Sequence, residues 1–107
     1  MKLLIAPLLA SLAMATPAVA DQAALIKVFQ FQPKDITVKV GTKIIWTNGD
    51  DIEHSVTAGA PGKETKTFDS GFFKKDGTWE MTFSQAGTFE FFCKRHPSMK
   101  GKVIVTE

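Results

Sequence analysis

A single cysteine, Cys93, excludes any disulfide within the chain, and two histidines, His54 and His96, are the only imidazoles available. Charge of neither sign dominates: 13 basic residues stand against 11 acidic ones, with no basic stripe or basic helix. That excludes a nucleic-acid footprint and gives no strongly polarised docking field. No segment carries a sustained 3.6-residue apolar pattern with capping residues, so a helical fold is excluded as well. The apolar run near the N-terminus is broken by Pro7 and falls short of the roughly 20 residues that a spanning helix needs.

That run fits a leader instead. Lys2 is followed by "LLIAPLLASLAMA" and then by "TPAVA", a basic start, a short apolar core and a small-residue end. This is the pattern of a secretory signal peptide, with Ala18 and Ala20 just before the cut and Asp21 as the mature N-terminus. No cysteine lies near the cut, which argues against a lipid anchor. The expectation is a cleaved signal peptide over residues 1–20, a single domain over residues 21–107, export to the periplasm and no membrane anchor after cleavage. A domain this small benefits from a staple such as a metal. In an exported chain an unpaired thiol is unusual: it is buried and inert, bridged to another chain, catalytic, or metal-bound.

After Asp21 the chain reads as short strands separated by turn signals. Residues 25–31 ("LIKVFQF") read as one strand ended by Pro33. Ile36, Val38 and Val40 share a face in the next, Gly41 and Thr42 turn the chain, and "KIIWT" follows. "EHSVT" is short, and "AGAPGKET" reads as a loop. Clearer strands cover residues 78–83 and 88–93, with Gln85, Ala86 and Gly87 between them, and "GKVIVTE" closes the chain. Seven or eight strands at this spacing predict an all-β sandwich or small barrel. By period two, Phe89, Phe91 and Cys93 lie on one face and Glu90 and Phe92 on the other, so the thiol ends a strand on the face lined with core aromatics.

The segment "CKRHPSMKG" (residues 93–101) gathers a thiol, an imidazole and a thioether at three-residue steps. These soft to borderline donors suit copper better than calcium or magnesium. Two histidines, one cysteine and a long axial methionine form the electron-transfer geometry of copper. The loop supplies Cys93, His96 and Met99, and His54, in "NGDDIEHSV", is the remaining candidate. Pro97 restricts the backbone after His96 and discourages a helix there.

"CKRHPSM", taken with "WTNGDDIEHSV", resembles the copper loop of the cupredoxins, and its two-and-two spacing is most similar to that of the amicyanins. The likeness extends over "FQPKDITVKVGTKIIWTN", "FDSG" and "TFSQAGTFEFFCKRHPSMKGKVIV". It implies a Greek-key β-sandwich holding one type 1 copper ion, with His54, Cys93 and His96 as strong equatorial ligands and Met99 as the weak axial one. It also implies a soluble, monomeric, non-enzymatic electron carrier, with His96 as the electron port inside an apolar docking patch. Pro97, the rim of Met99 and Phe92 are candidates for that patch. Lys94 and Arg95 add positive charge beside the site, and Asp50, Asp51 and Glu53 add negative charge near His54. The expected partners are redox proteins, with a periplasmic amine dehydrogenase as donor and a c-type cytochrome as acceptor. Asn48 matches an asparagine that ties the two ligand loops together. Glu53, Phe89 and Phe91 depart from residues common in the family.

Rival readings are weaker on the same residues. A Cys93–His96 nucleophile leaves Met99 unexplained and lacks an oxyanion loop. Oxidases and reductases with several copper centres need more histidines. Zinc seldom uses methionine. A copper-delivery module favours open, exchangeable sites, whereas four donors spread across a packed sheet favour holding the metal.

Overall fold

A computed structural model describes residues 20–107, so all but the last residue of the expected leader lies outside the described residues. Among the described residues nine strands form: β1 (Gln22–Lys27), β2 (Gln30–Gln32), β3 (Asp35–Lys39), β4 (Thr42–Asn48), β5 (Thr57–Ala60), β6 (Lys63–Asp69), β7 (Thr78–Phe83), β8 (Gly87–Phe92) and β9 (Lys100–Thr106). They build two sheets, ordered β2-β1-β4-β7 and β3-β9-β8-β5-β6. The all-β sandwich expected from the turn spacing is therefore the architecture, with nine strands in place of seven or eight.

Alternation writes the core. In β4 the residues Thr42, Ile44, Trp46 and Asn48 are buried, and those between them are half-buried. In β9, Gly101, Val103 and Val105 face inward. Each fully buried aliphatic or aromatic side chain contributes about 1.5–3 kcal/mol, and Ile26, Ile44, Trp46, Val56 and Val103 are all completely enclosed. Trp46 is central, with its ring 5.5 Å from Trp79 and 5.6 Å from Phe91. Its indole N–H is buried without a hydrogen-bond partner among the described residues, which is uncommon for tryptophan.

The sheets are joined at the corner between β3 and β4. There Val40 N–H donates to Thr106 of the second sheet and Gly41 N–H to Phe83 of the first, both at 2.7 Å. Gly41 has φ +93°, which a side chain would disfavour. Strands β1 and β4, and β3 and β9, run parallel, while the other neighbours are antiparallel.

Two segments differ from the sequence expectation. Residues 25–31 form the β1–β2 hairpin, turning at Val28 and Phe29, whose φ angles are +47° and +58°. Two-residue turns of this hand favour Asn-Gly, and a left-handed L-residue costs about 1–2 kcal/mol. The compensation lies outside the hairpin: the Asp50 carboxylate accepts Val28 N–H at 2.8 Å and Phe29 N–H at 2.9 Å. Replacing the exposed Val28 with asparagine, Val28→Asn, should relieve this strain and stabilise the fold by about 1 kcal/mol, or about 4–8 °C in Tm. A lower Tm on thermal unfolding would show that the valine side chain contributes packing instead.

"AGAPGKET", expected as a loop, belongs to the β5–β6 hairpin. Its Gly, Pro and charge mark the turn and a mostly exposed edge strand, in which Phe68 alone is buried. The pairing shifts register between Thr57 and Gly59. Gly59 fits because it has φ +107° and any Cβ would lie 2.4 Å from the Lys63 carbonyl oxygen.

Candidate metal centre

The site forms where two connections meet at one end of the sandwich. Strand β4 ends in the first sheet, and the chain crosses to β5 in the second sheet through residues 49–56, which carry His54. Strands β8 and β9 are neighbours in the second sheet, and the loop between them carries Cys93, His96 and Met99. His54 is pinned by a two-way backbone bridge to Phe73, at 3.3 and 3.0 Å. The β8–β9 loop is closed by Cys93 N–H donating to the Met99 carbonyl at 3.1 Å and Met99 N–H donating to that of His96 at 2.8 Å.

These constraints bring together three of the four donors expected from sequence. His54 Nδ1 lies 3.7 Å from Cys93 Sγ, and His96 Nδ1 lies 3.9 Å from it. All three donor atoms fall within 4.8 Å of one another. Nitrogen and sulfur donors about 2.0–2.3 Å from one ion and about 120° apart would be separated by about 3.7 Å. The spacing therefore fits a common centre. His54 and Cys93 are fully buried, Met99 is buried, and His96 is half-buried.

Asp50 orients His54. Its Oδ2 lies 2.9 Å from His54 Nε2. Burial pushes the Asp50 carboxyl upward, but N–H groups of Phe29 and Val28 together with His54 outweigh it and hold the group below the usual aspartate range. An ionised Asp50 accepts a hydrogen bond from Nε2–H, which orients the ring with Nδ1 toward the thiol, as a metal requires. Burial, with His54 and Arg95 nearby, lowers the His96 pKa against the opposing pull of Asp50, so its neutral, coordinating form is favoured.

Ser55, which the sequence reading did not single out, ties the two ligand loops. Its N–H points at Cys93 Sγ at 3.4 Å, and its Oγ accepts Lys94 N–H at 3.0 Å. Asn48 was the expected tie, yet its side chain bonds Ile52, Phe73 and Asp50, bracing only the His54 side. The signal was available in Ser55 itself, a small polar residue adjoining a ligand. Ser55→Ala keeps the N–H at the sulfur but removes the acceptor for Lys94. We expect a loss of about 1 kcal/mol in the unfolding of the metal-free protein with the thiolate environment retained; a loss below about 0.3 kcal/mol would dismiss the tie.

The expected docking residues need revision. Phe92 is 3% exposed and Met99 4%, so neither offers surface. Lys94 is engaged by Asp69. Burial pushes Asp69 upward, yet Lys94, Gly71 N–H and the Thr57 hydroxyl bring it below the usual range. Pro97 is exposed as expected. Among the described residues the large exposed apolar groups are Leu25, Val28, Phe29 and Phe72. The Phe29 ring meets those of His54 and His96 edge-on at 5.5 and 4.9 Å, and Arg95 lies over Phe72 at 5.6 Å.

Comparison with known proteins agrees with this geometry. Residues 18–106 match the family described as "Copper binding proteins, plastocyanin/azurin family". Amicyanin of Paracoccus versutus is 35% identical over 75% of this chain and 61% of its own length. Amicyanin of Paracoccus denitrificans is 33% identical over 81% of this chain and 68% of its own. The chain thus spans about three-fifths of the first of these relatives and two-thirds of the second. A solved structure of a purple cupredoxin from Nitrosopumilus maritimus superposes with a TM-score of 0.74 at 25% identity, covering 80% of this chain and all of that one. The match runs through every strand and both ligand loops, and on that ground the chain belongs to the plastocyanin/azurin family of copper-binding proteins, a cupredoxin whose type 1 copper site draws on His54, Cys93, His96 and Met99.

Proposed function

We propose that this protein carries single electrons between redox partners in the periplasm, after removal of residues 1–20. Copper, when bound, supplies the Cu(II)/Cu(I) couple. The observation that carries the reading is the convergence of His54 Nδ1, Cys93 Sγ and His96 Nδ1 at the end of a packed sandwich. His54, Cys93 and His96 would hold the ion through two nitrogens and the thiolate, and Met99 would add its thioether. Backbone bonds to Phe73, Ser55 and Met99 fix the first two ligands and limit rearrangement between oxidation states. A buried, braced donor set also favours holding the metal over handing it on.

His96, the half-buried ligand, is the electron port. Val28, Phe29, Phe72 and Pro97 form an apolar rim that suits weak, brief docking. Arg95 remains as a cation beside this rim, while Lys94 is held by Asp69. Likeness to amicyanins supports an amine dehydrogenase as donor and a c-type cytochrome as acceptor.

The test is the visible spectrum of the Cu(II)-loaded mature protein, followed through reduction and reoxidation. An intense thiolate-to-copper band that bleaches and returns supports the carrier. A colourless Cu(II) protein overturns it. Mass measurement of the protein exported by a bacterial host tests the cut before Asp21.

A further inference from the structure

The Val28–Phe29 turn is a strained feature placed beside the metal ligands. Two consecutive non-glycine residues are left-handed, and one of them is β-branched. Such conformations persist only where surrounding structure enforces them. Here one carboxylate enforces the turn and also orients His54: Asp50 binds Val28 N–H, Phe29 N–H and His54 Nε2, at 2.8, 2.9 and 2.9 Å. The result is that the Phe29 ring, though half-exposed, stands against both copper histidines. Phe29 also borders a groove of about 330 Å³, whose other walls include Lys34, Lys100 and Met99 and no acidic side chain. This groove favours small anions, and Met99 forms part of its lining.

Resting on the copper reading above, we propose that Phe29, seated by Asp50, is the positioning residue that closes the copper site against small anions collecting in this groove. The ring occupies the space beside the His54–His96 pair through which an external ligand would approach, and it limits rotation of the His96 imidazole away from the centre.

The experiment compares copper-loaded wild type, Phe29→Ala and Phe29→Leu during titration with sodium azide. Visible absorption is recorded, and copper transfer to EDTA is timed. We expect wild type to be indifferent to azide. Phe29→Ala should show a saturable spectral change and lose copper at least tenfold faster, while Phe29→Leu, which fills only part of the space of the ring, should show a weaker but measurable response. The melting temperature of the metal-free proteins should differ little, since a purely structural role would move that quantity and not azide binding. A blue Phe29→Ala protein that ignores azide and releases copper within twofold of wild type overturns the proposal. If Phe29→Ala does not hold copper, Phe29→Leu decides: measurable azide sensitivity supports the gate, and behaviour identical to wild type overturns it. A wild type colourless with Cu(II) overturns the copper reading and this proposal together, which separates that failure from the failure of the gate alone.

Discussion

Cys93→Ala should fold and yet fail to become blue. The side chain is wholly enclosed at the end of β8, and exchanging a thiol for a methyl group removes one atom from a site that can partly relax. The expected cost to the metal-free fold is about 1 kcal/mol. The effect on the metal is far larger. The thiolate is the sole sulfur anion in the chain, because no second cysteine can replace it. Without it, His54 and His96 remain as two neutral nitrogen donors, a set more common for ordinary copper binding than for a type 1 centre. The intense visible band should vanish entirely, and copper should be held much less tightly. Absorption and EPR of the Cu(II)-loaded variant, alongside thermal unfolding of its metal-free form, separate the two effects. A persisting intense charge-transfer band would remove Cys93 from the site.

Gly101→Ala should be the most destabilising conservative change near the copper loop. Gly101 lies opposite Phe91 in the β8–β9 ladder. A Cβ there would stand 2.3 Å from the Lys34 carbonyl oxygen and 2.6 Å from the Phe91 ring. Neither neighbour can yield easily. The Lys34 carbonyl accepts Lys102 N–H, and Phe91 is wedged between Phe31 at 4.8 Å and Trp46 at 5.6 Å. Overpacking of this kind costs about 1–3 kcal/mol or more, so Tm should fall by about 10–20 °C. Gly101 follows Met99 by two positions, and the displaced strand should also loosen the copper loop. Unchanged unfolding would mean that β9 shifts without resistance.

The legibility of the chain follows from how local each determinant is. Strands β4, β7 and β9 were readable because their alternation faces one common core. The ligand set was readable because three donors recur within one loop and a single further histidine was available. The β1–β2 hairpin was hidden, since Val-Phe carries no turn chemistry and its support comes from Asp50, distant in sequence. Phe92 lies on the outer face by period, and burial there depends on tertiary cover that alternation does not encode. Ser55 was missed for a different reason: its hydroxyl marks it only as a small polar residue beside a ligand, and the backbone N–H that it sets at the sulfur leaves no residue-type signature.

Trp46 gives the molecule an internal optical gauge. A wholly buried indole whose N–H has no partner among the described residues, held among Trp79, Phe83 and Phe91, cannot be relaxed by solvent dipoles during its excited lifetime. Its fluorescence should therefore sit at the short-wavelength limit for indole and keep vibrational structure, beside redder emission from the half-buried Trp79. Admission of even one water to the centre of the sandwich would shift that emission, so breathing of the two sheets can be followed without any added label.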